Sequence, residues 1–264
     1  MPGIAPAEVL ANRIVWSLML MTAVLGWRRQ WAWLGPALAS PRLMASFVGS
    51  ALLLSANWIT YIWAVEHGHV VDASLGYFMT PLVNVALGFF LLGERPRRVQ
   101  AIALALAATG VAGLTASAGT LPWIGLALAL SFGAYGLLRK VATLGTAEGL
   151  TLETLILAPA AIAAMAWWWR SGPTSFPGPD LATNAWLVGL GPATTVPLLL
   201  FAFAARRLSL TTLGLFQYVS PTIQFVLGVW LFREPLAAGR LAGFACIWAA
   251  LALYSVDGWR RRAA

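Results

Sequence analysis

The sequence predicts an all-α integral membrane protein, with nine transmembrane helices visible of an expected ten, arranged as two inverted five-helix repeats. Three observations carry this. Hydrophobic residues make up 60% of the chain and charged ones 10%, against roughly 25% charged in soluble domains. The apolar residues come in blocks of about twenty, the length that crosses a hydrocarbon core of about 30 Å. An unusual segment also occurs twice: "PLVNVALGFFLLGERP" at 81–96 returns as "PTIQFVLGVWLFREP" at 221–235, with Pro81, Gly88 and Glu94 matched by Pro221, Gly228 and Glu234, each 140 positions on.

The spans are read at 8–27, 42–65, 71–92, 99–117, 122–141, 150–169, 183–205, 212–232 and 239–256. Each is apolar throughout, without the alternation of a barrel strand, and a sheet in lipid would leave edge backbone groups unpaired. The single cysteine, Cys246, lies inside a span and excludes an intrachain disulfide. No cleavable signal pattern precedes the first span. The net charge of +8 sits in the connecting loops and reports topology, so no nucleic-acid partner is inferred. Thirteen of the seventeen basic residues fall on alternate loops, in the groups Arg28, Arg29 and Arg42; Arg95, Arg97 and Arg98; Arg139 and Lys140; Arg206 and Arg207; and Arg260, Arg261 and Arg262. Only Arg170, Arg233 and Arg240 fall on the other side, and Arg13 is inside a span. The richer side is expected in the cytoplasm, with the C-terminus on it.

The 140-residue register runs without a gap from residue 6 to about 116. "PAEVL" at 6–10 meets "TAEGL" at 146–150, and Gly49 meets Gly189. The expected domains are therefore a first repeat over 1–118 and a second over 119–264. The loops after Glu94 and Glu234 lie on opposite sides by the charge count, so the copies are inverted, as in secondary transporters that bind substrate near the midplane. The second copy has five spans and the first has four. The span at 122–141 lacks a partner, and the expectation is that a first helix belongs before residue 1 and that transport is poor without it.

The residues "NRIVWS" (12–17), "NWITYIWAVEHGHVVDASLGYFMTPLVNVALG" (57–88), "LLRK" (137–140), "GLTLETL" (149–155) and "LGLFQYVSPTIQFVLG" (213–228) closely resemble the RarD-like, EamA-type members of the drug/metabolite transporter superfamily. The resemblance covers essentially the whole chain. It implies ten helices in two inverted repeats, a bacterial inner-membrane location, and export or exchange of small solutes. The function expected is secondary transport of a small organic solute or drug-like metabolite by alternating access. The alternative is a non-transporting truncated membrane protein or an assembly partner.

Amide and ionisable groups within spans are the functional candidates. Tyr77, Pro81, Asn84 and Gly88 share one helix face, at i, i+4, i+7 and i+11. Gln217, Pro221, Gln224 and Gly228 repeat that face, with Tyr218 beside it. Each proline frees a carbonyl one turn back, and a free carbonyl with an amide can hold a polar solute. The competing role is interhelical packing, with Asn84 and Gln224 as glue. Asn57 and Tyr61 form a second polar face with Trp58 and Trp63 nearby, which suits a flat organic ligand or an interfacial aromatic belt. With fourteen tryptophans in the chain, the belt reading weighs heavily, and Trp167, Trp168 and Trp169 belong to it. Tyr135 is a weaker candidate.

Arg13 and Glu153 occupy equivalent repeat positions and are candidates for gating or anchoring. Inversion sets them roughly 15 Å apart along the membrane normal, so direct pairing is not expected. Arg13 is better placed to meet Glu66 or Asp72, and Glu153 to meet Arg139, Lys140 or Arg206. His67 and His69 bracket a glycine, but no further ligand converges on them and no metal site is inferred. No nucleophile elbow, zinc-protease helix or Walker loop is present. The protein is not expected to be an enzyme or to hold a cofactor, and ATP-driven transport by this chain alone is excluded. The expected partners are a small-molecule substrate and the lipid bilayer. "GRLAG" at 239–243 fits a helix-association motif that would also allow a homodimer.

Overall fold

Among the described residues the apolar blocks become helices, because in lipid only a helix satisfies its own backbone without a neighbour. The computed structural model describes residues 4–118, 123–171, 176–178, 180–220, 222–223 and 238–260. Among them it places ten helices: α1 (Pro6–Trp27), α2 (Leu34–Leu38), α3 (Pro41–Glu66), α4 (Val70–Leu92), α5 (Arg98–Ala118), α6 (Trp123–Val141), α7 (Thr146–Ser171), α8 (Leu181–Arg207), α9 (Leu210–Gln217) and α10 (Ala238–Arg260). Six of these, α1, α3, α5, α6, α7 and α8, are long and apolar enough to cross a membrane; Gly76–Leu92 and Leu241–Asp257 are shorter apolar segments. The chain is an all-α membrane protein.

Two elements depart from the expected spans. The connection after the first span contains α2, a five-residue helix whose Ala37 is buried with Phe47 and Leu152. The span read at 212–232 is interrupted. Helix α9 stops at Gln217 and the backbone turns at Tyr218. Pro221 has no N–H to give the Gln217 carbonyl, which is the physical reason for a break one turn before it.

Helix starts repeat at the 140-residue interval: Pro6 and Thr146, Pro41 and Leu181, Val70 and Leu210, Arg98 and Ala238. The chain divides into two compact units, Met1–Trp63 with Leu138–Arg207, and Ala64–Leu137 with Leu208–Ala264. Each draws on both sequence copies. The first holds α1, α2, α3, α7 and α8; the second holds α4, α5, most of α6, α9 and α10.

In the first unit α1 packs on α7 and α8. Hydrocarbon offers no hydrophobic drive between helices, so close backbone approach supplies the cohesion. At Gly191 a Cβ would lie 2.8 Å from the Trp16 carbonyl oxygen, and Ser17 Oγ donates to the Gly191 carbonyl at 3.3 Å. In the second unit α5 packs on α10 and α4 on α9. A Cβ at Gly110 would lie 2.7 Å from the Gly243 oxygen, and one at Gly243 would lie 2.6 Å from Leu114 Cγ. The glycine at the end of "GRLAG" thus packs α10 on α5 within the chain. Phe78, Ala107, Val111, Tyr218 and Ile247 form the core of this unit.

Candidate functional site

The first unit buries a charged pair. Glu153 on α7 and Arg139 at the end of α6 are both fully buried. Arg139 Nη1 lies 3.7 Å from Glu153 Oε1, Ser50 Oγ donates to the same oxygen, and Arg139 Nη2 donates to the Thr146 carbonyl at 3.0 Å. The guanidinium carbon sits 5.6 Å from the centre of the Phe47 ring. Room for it comes from Gly149, where a Cβ would run into Arg139 Nη1 and come within 2.9 Å of Phe47. Glu153 thus meets one of the basic residues expected of it. Lys140 Nζ donates to the Ala205 carbonyl at 3.4 Å, and Arg206 donates to the Leu144 carbonyl. Of these, Lys140 meets a carbonyl in the last turn of α8, where the helix dipole favours a cation.

Arg13 lies with its guanidinium 5.2 Å from the centre of the Trp58 ring, a cation–π contact between α1 and α3. The Asp72 side chain is outside the described residues. Beside Arg13, Asn12 is fully buried: its Nδ2 donates to the Glu8 carbonyl at 3.0 Å, and its Oδ1 accepts from Trp16 Nε1 at 3.2 Å. Glu8 Oε1 in turn accepts from the Phe176 amide at 3.2 Å. Of the second aromatic face, Trp58 is buried, Asn57 is half-buried, and Tyr61 and Trp63 are exposed.

The second unit holds an amide pair in place of a charge. Asn84 on α4 is fully buried, and its Nδ2 donates to Gln217 Oε1 at 2.7 Å. Asn84 Oδ1 has no hydrogen-bond partner among the described residues. Two glycines make space around it. A Cβ at Gly133 would lie 3.5 Å from that oxygen, and one at Gly214 would lie 2.7 Å from the Pro81 carbonyl oxygen and 3.3 Å from Asn84 Cβ. Gln217 is half-buried at the end of α9. The free half of the pair does not depend on which way the amides are drawn, an assignment rather than an observation. In either orientation the pair's own bond leaves one amide nitrogen and one amide oxygen unused.

The other sequence-picked residues are dispersed. Tyr77 is exposed while Asn84, on the expected common face, is fully buried. Tyr218 is wholly inside the core, with no hydrogen-bond partner for its hydroxyl among the described residues. Tyr135 is also fully buried. Gln224, Pro221, Gly228 and Glu234 lie outside the described residues. His67 and His69 are exposed, and among the described residues no group of His, Cys, Asp and Glu side chains forms a metal site.

Sequence reasoning gave Glu94 no role, yet it organises this unit. Gly93 adopts a left-handed conformation (φ 66°), and the Glu94 amide folds back to the Gly88 carbonyl at 2.9 Å. That turn swings the carboxylate onto the start of α9. There Oε1 accepts from the Leu210 amide at 2.9 Å, and Oε2 accepts from the Thr211 amide at 3.1 Å and the Thr211 hydroxyl at 3.2 Å. The carboxylate passes so close to α4 that a Cβ at Gly88 would lie 2.7 Å from Oε2. Ser209 completes the cap by accepting from the Thr212 amide at 3.1 Å. The signal was available, because Gly88 and Glu94 both recur in the second copy. Ser50 and Asn12 carried no comparable mark, whereas Glu8 recurs as Glu148.

The EamA-like transporter family profile matches the chain twice, over residues 1–116 and 121–256. The chain belongs to the EamA-like transporter family. Among its EamA relatives, an uncharacterised transporter of Pseudomonas aeruginosa is 43% identical over 97% of this chain and 86% of its own length. Protein RarD of Escherichia coli is 41% identical over 97% of this chain and 90% of its own length. A chloramphenicol-sensitive protein RarD of P. aeruginosa is 31% identical over 96% and 85%. A solved crystal structure shares the fold with a TM-score of 0.69 at 19% identity, covering 98% of this chain and 90% of the other. The EamA profile and the RarD relatives identify a membrane transporter of the drug/metabolite type, a multi-pass protein of the bacterial inner membrane.

Proposed function

We propose that the chain moves a small, uncharged polar organic solute by alternating access, with no direct use of ATP, and binds it against the Asn84–Gln217 amide pair. The observation that carries this reading is the pair itself: an amide whose oxygen has no hydrogen-bond partner among the described residues, fully buried beside a proline-interrupted helix and two glycines. Buried polar groups are otherwise satisfied, and one left open in a membrane span is a binding-site candidate. Between Asp72 and Glu94 on α4, and throughout α9, no ionisable side chain other than tyrosine occurs. The pair therefore offers hydrogen bonds without charge. Tyr77 and Tyr218 belong to the same unit as the pair and Asn57 and Tyr61 to the other, while Arg13 and Glu153 anchor helices on the same reading. The C-terminus lies in the cytoplasm, by the arginine distribution.

The test is flux into proteoliposomes over a panel of neutral, anionic and cationic solutes of similar size. Chloramphenicol joins the panel because one relative carries it in its name. Asn84→Leu and Gln217→Leu are expected to abolish flux of any accepted solute while membrane insertion stays normal. Unchanged flux in both variants defeats the reading, and loss of expression in both assigns the pair to helix packing.

A further inference from the structure

The Asn84–Gln217 pair leaves two groups of opposite kinds outside its own bond. Asn84 Nδ2 donates to Gln217 Oε1 at 2.7 Å, so the oxygen of one amide and the nitrogen of the other are not used in it. Hydroxyls elsewhere in this unit settle their bonding locally: those of Thr80, Thr109 and Ser131 each donate to the carbonyl four residues back. Asn84 Oδ1 has no such bond among the described residues, although Asn84 is fully buried. Two side-chain amides can close a ring of two hydrogen bonds, each donating to the other. Here one of the two is made.

Covalent geometry limits the gap that is left. The oxygen and nitrogen of one amide are about 2.2 Å apart. With 2.7 Å between the two amides, the unused oxygen and the unused nitrogen lie less than about 7 Å from each other. At Gly133 on α6 a Cβ would lie 3.5 Å from Asn84 Oδ1, so the glycine keeps that side of the oxygen clear of a side chain.

With this pair taken as the place where solute binds, we infer that the solute carries a carboxamide or lactam edge, an N–H and a C=O on the same side of one amide. The N–H donates to the open oxygen and the C=O accepts from the open nitrogen, which completes the ring through a third amide. Exchanging O and N in both side chains leaves the same two kinds of group open, so the edge is required in either assignment. Related groups fail on chemistry. An ester or a tertiary amide has no donor for the open oxygen and leaves it unmet in a dry site. A carboxylate lacks a donor and an ammonium lacks an acceptor, and burying either charge here is costly. A hydroxyl offers one atom for both bonds, as water does, and gains nothing by displacing one. A trans amide, whose N–H and C=O point opposite ways, needs partners at least about 6 Å apart, close to the full stretch of the pair.

The test is ligand-observed saturation-transfer NMR on the full chain in detergent, titrated with two matched series. The first is benzamide, N-methylbenzamide, N,N-dimethylbenzamide and methyl benzoate. The second is 2-piperidone and N-methyl-2-piperidone. Benzamide and 2-piperidone are expected to bind about tenfold more tightly than the other members of their series, the worth of one hydrogen bond in a dry site. Asn84→Leu should erase the difference. So should Gln217→Met, which keeps the length of the side chain and removes its amide. Thermal melting checks the fold of each variant, and the series read on the parent protein decide the amide edge even where a variant fails to fold. Binding that is equal or absent across both series overturns the edge, as does N-methylbenzamide held as tightly as benzamide. If equal binding is lost in both variants, the pair remains the place where solute binds and only the edge fails. A preference for benzamide that both folded variants keep overturns the pair as the binding place along with the edge.

Discussion

Arg139 and Glu153 are both wholly buried and are held as a unit with Ser50 and the Thr146 carbonyl. Removing one partner of such a pair strands the other charge. Arg139→Ala should therefore destabilise the protein by about 3–5 kcal/mol, whereas Arg139→Met combined with Glu153→Leu should recover most of that loss. Thermal melting in detergent measures both, and equal damage in single and double variants would show that the pair does more than neutralise itself. Individual partners were partly legible in the sequence. A lone glutamate in a span must find a cation, and charge placement limited the choice to three basic residues. The Asn84–Gln217 bond was not legible, because it joins residues 133 apart and the repeat register paired Asn84 with Gln224 instead. Register gives equivalence between copies, and equivalent positions need not touch.

Helix limits were readable to within a few residues wherever an apolar block meets charge or proline. They failed at α2, which is too short to show a period, and at α9, where the run of apolar letters continues past the break before Pro221. Two helix starts yield specific expectations. Glu94 gives α9 three hydrogen bonds to one carboxylate, so Glu94→Ala should cost on the order of 2–3 kcal/mol. Gly88→Ala should reproduce part of that loss with the glutamate still in place, because its Cβ would displace Oε2. A Gly88→Ala protein that melts like the parent would disprove the coupling. At α8, Asp180 caps the helix. The Thr183 hydroxyl first, then the Thr183 and Ala182 amides, hold its carboxyl below the usual range. A depressed carboxyl contributes its stability above the unfolded pKa of about 3.9 and loses it as pH falls through the folded value. Amide exchange at Ala182 and Thr183 should therefore be unaffected by moving from pH 7 to 5 once intrinsic rates are removed. Protection should drop only below about pH 4, and an Asp180→Asn variant should show no such drop.

Over the whole molecule, composition alone settles the membrane and helical character, and the doubled segment points to the repeat. The partition into compact units was hidden, because each unit takes equivalent helices from both copies: α1 with α7, α4 with α9, α5 with α10. A consequence follows for the gene cut in two. Residues 1–118 or 119–264 expressed alone would each contain half of each unit, with the packing faces of α1 and α5 open to lipid. Neither fragment should accumulate in membranes by itself, and co-expression should restore both. Quantitative immunoblots of the fragments, alone and together, test this; a stable 119–264 fragment would mean that the sequence copies fold independently.

Helices α4 and α9 are joined at both ends of the shorter one: the Glu94 carboxylate grips its start and the Asn84 amide grips its finish. Two fastenings along a short rod remove its freedom to pivot or slide, so α9 is a splint on α4. Any working stroke that carries one of them carries both, and flexure is left to the joint after Tyr218. A covalent tether between the two helices, made by pairing cysteines introduced at Leu87 and Leu213 in a Cys246→Ala background and bridged with a short crosslinker, should therefore leave transport running at its untethered rate. Arrest of flux on crosslinking, reversed when the bridge is cleaved, would mean that the splint comes apart in every cycle.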